Sequence, residues 1–263
     1  CAKGRAAEVI VKNDSFTEGS PAYLVGDFVP GEEVGVRLTS PCDGTIVAVQ
    51  IAWLEGTPGH PPSLHRAIRI YDGSTFPTPG AQLAYLEAPL LSPGFVNEFR
   101  YLDEAGTVPL SVPVTVGQQF YVALEFDEPT DVGSGGASVV RDTDGCQTGR
   151  NIIYVIPGGW FNFCLFIQGD VVIRAVVDCG EQSGACCLPS GACQFITPTQ
   201  CAGSAGTYHG DLVSCAAVEC PQPSGACCFE ATGGCLDLTQ QLCAVTAGIW
   251  AGMGTQCATY TCF

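Results

Sequence analysis

The sequence predicts an all-β protein: an antiparallel, jelly-roll-like β-sandwich followed by two small disulfide-rich repeat modules. Three observations carry this. The 263 residues include 33 glycines and 18 prolines, which favours short strands joined by tight turns over long helices. The first part of the chain alternates apolar, β-branched runs with turn signals, and no segment sustains a capped 3.6-residue period. The last part is an internal duplication built on cysteine.

The sandwich is expected over residues 1–179. Its strand-like runs are residues 8–11, 34–38, 45–53, 67–71, 119–126, 151–156 and 171–177. Between them stand Pro30-Gly31, Asp43-Gly44, Asp72-Gly73, Pro93-Gly94 and Pro157-Gly158-Gly159, the residues that tight turns require. The 171–177 run is nearly all apolar and reads as a central strand covered on both faces. Ala7-Glu8-Val9-Ile10-Val11-Lys12 has two readings. It is either the first strand of its own sheet or a strand donated to a neighbouring molecule, to which Lys3 and Arg5 would be drawn.

Residues 180–183 read as a linker, and residues 184–220 and 221–263 as two copies of one module. Ser183-Gly184-Ala185-Cys186-Cys187 returns as Ser224-Gly225-Ala226-Cys227-Cys228. Cys193, Cys201, Cys215 and Cys220 are matched by Cys235, Cys243, Cys257 and Cys262, and Tyr208 by Trp250. Thr197 and Thr239 are placed to cap one short helix per copy. Each copy is too small to bury an adequate apolar core, so covalent cross-links must supply its stability. Six cysteines allow 15 connectivities, and spacing does not choose among them. Adjacent cysteines bond poorly to each other, so each doublet is expected to reach two partners. Zinc is disfavoured: ligand pairs two to four residues apart are missing, and His209 becomes Ala251 in the second copy.

Seventeen cysteines point to an oxidising exterior, and no apolar stretch is long enough to span a membrane as a helix. Beginning at Cys1 without a signal peptide, the sequence reads as a mature secreted or cell-surface chain. Besides the repeat cysteines, Cys42, Cys146, Cys164 and Cys179 are expected in disulfides. Of their three pairings, Cys42 with Cys179 and Cys146 with Cys164 are favoured. Cys1 is then left over, as an intermolecular link, a lipid anchor or a free thiol.

Acidic residues outnumber basic ones 26 to 10, for a net charge of −16. Such a chain repels phosphate backbones and anionic lipid, so nucleic acid is excluded as a partner. Charged residues are only 14% of the chain against about 25% in typical domains, which points to a surface that packs against something else.

The Gly-Ala-Cys-Cys repeats follow a domain containing Ile70-Tyr71-Asp72-Gly73 and Pro157-Gly158-Gly159-Trp160-Phe161. In this the chain resembles a group of uncharacterised secreted proteins common among planctomycete-like bacteria. The resemblance implies an extracellular location and carries no activity.

No nucleophile elbow, phosphate loop or His-Glu-x-x-His motif is present, and no catalytic residue is expected. His60 and His65 flank Pro61-Pro62 and read as loop histidines before they read as metal ligands. Glu55, Glu87, Glu98, Glu125 and Asp127 lie near strand ends, but convergence of any two is not readable from sequence. Asp142-Thr143-Asp144-Gly145 is a partial calcium-loop pattern, making Asp142 and Asp144 the candidate metal ligands and calcium the one candidate cofactor. Its alternative is an ordinary turn leading into Cys146. Trp160, after a Pro-Gly-Gly turn, is the candidate glycan contact, whereas Trp53 is expected in the core. The expected function is an extracellular structural protein whose partners are copies of itself, forming a surface layer, fibre or matrix. The alternative is an adhesion or glycan-binding module.

Overall fold

The computed structural model describes residues 8–17 and 19–262. The chain is all-β, with 8% helix and 42% strand, and divides between Gly180 and Glu181 into two compact units.

Among the described residues the first unit holds fifteen strands. Its larger sheet runs β1 (Glu8–Val11), β15 (Ile173–Asp178), β4 (Gly44–Glu55), β12 (Ala137–Arg141) and β2 (Tyr23–Leu24). Strands β9 (Phe95–Phe99) and β10 (Val112–Val114) also pair with β4. The second sheet runs β14 (Gly159–Asn162), β13 (Asn151–Val155), β3 (Glu33–Thr39), β11 (Gln119–Glu125), β6 (Ala67–Asp72) and β7 (Gln82–Glu87). A short ribbon pairs β5 (Ser63–Leu64) with β8 (Leu90–Leu91). All these pairings are antiparallel.

Period-two patterning puts Val34, Val36 and Leu38 of β3 beside Phe120, Val122 and Leu124 of β11 in one core. Ile51 and Trp53 of β4 meet them from the other sheet, with Trp53 fully buried as expected. Ile46 and Val49 both face this core despite their odd spacing. A register shift between Val176 and Val177 leaves Val47 as an extra residue that changes the phase of β4. Strand β15 lies between β1 and β4. Behind it Asp14 is buried and receives Arg174 Nε at 2.9 Å, which closes the 13–17 segment over that sheet.

The strand-donation reading is overturned for residues 8–11. They pair with β15 of their own chain, Val9 opposite Val177 and Val11 opposite Ala175, so their ladder hydrogen bonds are satisfied internally. Residues 1–7, including Cys1, lie outside the described residues.

The second unit contains two three-stranded sheets. In the first copy β16 (Gly184–Cys187) lies between β17 (Cys193–Ile196) and β18 (Thr207–Asp211), with α1 (Pro198–Gly203) between β17 and β18 in sequence. In the second, β19 (Ser224–Phe229) lies between β20 (Gly234–Thr239) and β21 (Ile249–Trp250), with α2 (Gln240–Val245) in the same place. Thr197 caps α1 in a reciprocal box with Gln200; Thr239 caps α2. Residues 181–183 belong with the first repeat rather than hanging free. Tyr208 donates to the Gln182 carbonyl at 3.0 Å, and Ser183 accepts the Leu212 N–H at 2.9 Å.

Each copy closes the same three bridges. Cys186–Cys201, Cys187–Cys220 and Cys193–Cys215 are repeated as Cys227–Cys243, Cys228–Cys262 and Cys235–Cys257. The doublet faces both ways: its first sulfur staples the helix and its second the end of the module. The sandwich pairs Cys42 with Cys179 and Cys146 with Cys164. All sixteen cysteines expected in disulfides are bonded.

Candidate functional site

Two features of the sandwich stand out: the outer face of the six-stranded sheet, and the end of the sandwich beside β14.

On the outer face, Glu33 of β3 and Glu125 of β11 are direct cross-strand partners, and both are buried. Arg69 of β6 spans them, with its Nε 3.7 Å from Glu33 and 2.9 Å from Glu125. Tyr71 donates its hydroxyl to Glu33 at 2.9 Å. Arg66 lies 3.5 Å from Glu125 and donates to Asp127 at 2.7 Å. Burial pushes the Glu33 carboxyl up to about 7, although Tyr71 and Arg69 pull the other way. Burial beside Glu33 likewise raises the Tyr71 phenol. Gly35 and Ala123, opposite each other on β3 and β11, leave room for long side chains to lie across the sheet. A Cβ on Gly35 would stand 2.8 Å from that of Ala123.

Trp160 belongs to this face. Its ring centroid is 5.3 Å from Tyr154 and 6.1 Å from Tyr71, so three aromatics border the carboxylate–arginine cluster. A half-buried aromatic row beside fixed donors and acceptors is suited to stacking on a sugar ring while bonding its hydroxyls. The cluster was not visible in the sequence. The only hint was an acid at one end of each of two apolar strands.

At the end of the sandwich, a cleft of about 620 Å³ opens between β2 of one sheet and β13 of the other, with Asp27 and Glu32 among its lining residues. Phe28, Ile153, Val155, Phe163 and Phe166 line it, with Arg141 at its side. An aromatic series leads outward from the core: Phe126 stacks on Phe28 at 4.2 Å, Phe28 lies 6.3 Å from Phe163, and Phe166 lies 6.4 Å from both Phe163 and Phe161. Its outer members stand in solvent, Phe166 63% and Phe161 37% exposed, and Leu165, next to Phe166 in the chain, is 73% exposed.

The other candidates have internal partners. Asp142 is buried and accepts N–H bonds from Ser15 at 2.8 Å and from Asp170 at 2.7 Å, one on each carboxylate oxygen. Burial raises its pKa, and the exposed Asp144 carboxyl beside it adds to the rise while the two N–H donors oppose it. Asp170 in turn binds Gln147 and Asn151, which anchors the Cys146–Cys164 loop. Among the described residues, the one grouping of three residues of metal-ligand type is Cys228, Cys235 and Cys262, whose sulfurs are all in disulfides.

His60 is exposed, whereas His65 is buried against Trp53 and Phe126 at 4.8 and 5.4 Å. Burial pulls His65 down to about 4. Glu55 accepts the Gly59 and His60 N–H groups, and Glu98 is held by Gln50 and Arg100.

No family model, curated protein or solved structure matches the chain.

Proposed function

We propose that this chain is an extracellular structural protein that assembles with copies of itself, its modules held by disulfides. The observation that carries the reading is the aromatic end of the sandwich, where Phe161, Leu165 and Phe166 stand in solvent and Phe166 lines a cleft that reaches the core. Contiguous apolar surface of this kind marks an interaction site. Eight disulfides fit an oxidising exterior, and no helix among the described residues is long and apolar enough to cross a membrane. The resemblance to secreted planctomycete-type proteins implies the same extracellular location. Electron microscopy of the native, oxidised material tests it: ordered polymers or sheets are expected, and uniformly dispersed single particles would count against it.

A second reading, a glycan-binding module, is favoured by the Trp160, Tyr154 and Tyr71 row beside Arg69 and Glu33. Retention on immobilised polysaccharide that is lost in Trp160→Ala, with the melting temperature kept, would support it.

A further inference from the structure

We propose that β14 is the joint of the assembly, pairing antiparallel with β14 of a second copy about a two-fold axis. This rests on the self-assembly reading and names the surface it uses. The two six-stranded sheets would become one continuous sheet, with Phe161, Leu165 and Phe166 of both copies forming the apolar centre of the interface.

Edge strands of soluble proteins carry devices against such pairing; β5 and β8 are only two residues long, and the edges of the two large sheets carry others. Strand β1 begins with the Glu8–Arg100 ion pair at 2.9 Å and is followed by Lys12. Strand β7 carries Glu87, β9 carries Glu98 and β10 contains Pro113. Strand β2 is only two residues long, with Arg141 over the Tyr23 ring. Strand β14, Gly159-Trp160-Phe161-Asn162, has no charge and no proline, and among the described residues β13 is its one strand partner.

Charge identifies the occupant. A molecule of net charge −16 repels its own copies over most of its surface. Between Arg150 and Asp170 the chain has no charged residue at all, and this stretch contains β14 together with Leu165 and Phe166. The strand and its flanking apolar residues therefore set no like charges of their own against a second copy, while Asp27 and Glu32 lie in the adjoining cleft. A two-fold contact uses the same patch on both partners, and an apolar, uncharged edge is self-complementary in that sense. Main-chain bonds along β14 would add direction to the apolar contact.

Sedimentation of the full oxidised chain, with hydrogen exchange at low and high concentration, tests the joint. Leu165→Lys and Phe166→Lys place charge on solvent-exposed positions. Melting temperature and the eight-disulfide mass check that each variant folds. Wild type is expected to rise above 27.4 kDa with concentration, its β14 amides exchanging at least tenfold more slowly in the associated form. Both variants should remain at 27.4 kDa. Wild type that stays monomeric throughout would overturn both the joint and the assembly reading. Wild type and variants that associate equally, with β14 amides indifferent to concentration, would overturn the joint alone. Protection of β14 only on adding a peptide of residues 1–12 would give the edge to a donated N-terminal segment and overturn the symmetric pairing. Should one lysine variant misfold, the other and the exchange data still decide.

Discussion

Glu33 and His65 are both buried titratable groups, and their pKa values move in opposite senses, towards about 7 and about 4. Folded Glu33 keeps a proton that the unfolded chain releases above its ordinary 4.5, so its contribution to stability is lost as pH rises from 4.5 to 7. Folded His65 refuses a proton that the unfolded chain takes up below 6.5, so its contribution is lost as pH falls from 6.5 to 4. Between these limits the slopes oppose each other, and each is worth up to about 3 kcal/mol. Glu33→Gln keeps a neutral partner for Tyr71 and removes one slope. It should gain stability at pH 8, gain nothing at pH 4, and melt at progressively lower temperature on acidification from pH 6.5. Melting curves of wild type and Glu33→Gln that stay parallel from pH 4 to 8 would contradict the burial of a titrating Glu33.

Asp142 has given each carboxylate oxygen to a main-chain donor, so it acts as an anchor for the Cys146–Cys164 loop. Melting temperatures in calcium and in chelator should therefore coincide. A rise of several degrees with calcium that is lost in Asp144→Ala would restore the metal reading.

At the scale of elements, what was legible depended on composition. Strands β3, β4, β6, β11, β13 and β15 are dense in Val, Ile and aromatics and stand out of the sequence unaided. Strands β7, β9 and β12 mix Gln, Asn, Glu, Ser and Arg with apolar residues, and only the sheets beside them make them strands. Strand β14 was hidden by its own turn, since Pro157-Gly158-Gly159 reads as loop while Gly159 already pairs with Val155. The Glu33–Arg69–Glu125 cluster was out of reach for another reason. Cross-strand register sets it, and register follows from the whole sheet rather than from local sequence.

The duplicated modules were legible as units, but their connectivity was not, because 15 pairings share one spacing. The repeat glycines explain why that connectivity can be reached. A Cβ on Gly184 would stand 1.9 Å from the Gly210 carbonyl oxygen, and one on Gly225 2.0 Å from that of Gly252. Only glycine lets the central strand approach the chain that carries Cys215 and Cys220, or Cys257 and Cys262. Gly184→Ala is therefore expected to scramble the first repeat alone. Peptide mapping should show mixed partners for Cys186, Cys187 and Cys193 beside native Cys227–Cys243, Cys228–Cys262 and Cys235–Cys257. Native pairing in both copies would show that this close approach is dispensable.

For the whole molecule, charge and apolar surface oppose each other. The net charge of −16 keeps copies apart, while in the proposed assembly the aromatic end of the sandwich would draw them together. Added salt shortens the reach of the repulsion, from about 30 Å at 0.01 M to about 8 Å at 0.15 M, and leaves the apolar contact in place. Association should thus strengthen with ionic strength, the reverse of what a contact made by ion pairs would do. Sedimentation equilibrium of the intact oxidised chain, over a concentration series at low and physiological salt, measures this directly. The self-assembly account predicts an average mass that climbs above 27.4 kDa with concentration, and climbs further at the higher salt. A mass of 27.4 kDa at every concentration and both ionic strengths would contradict it.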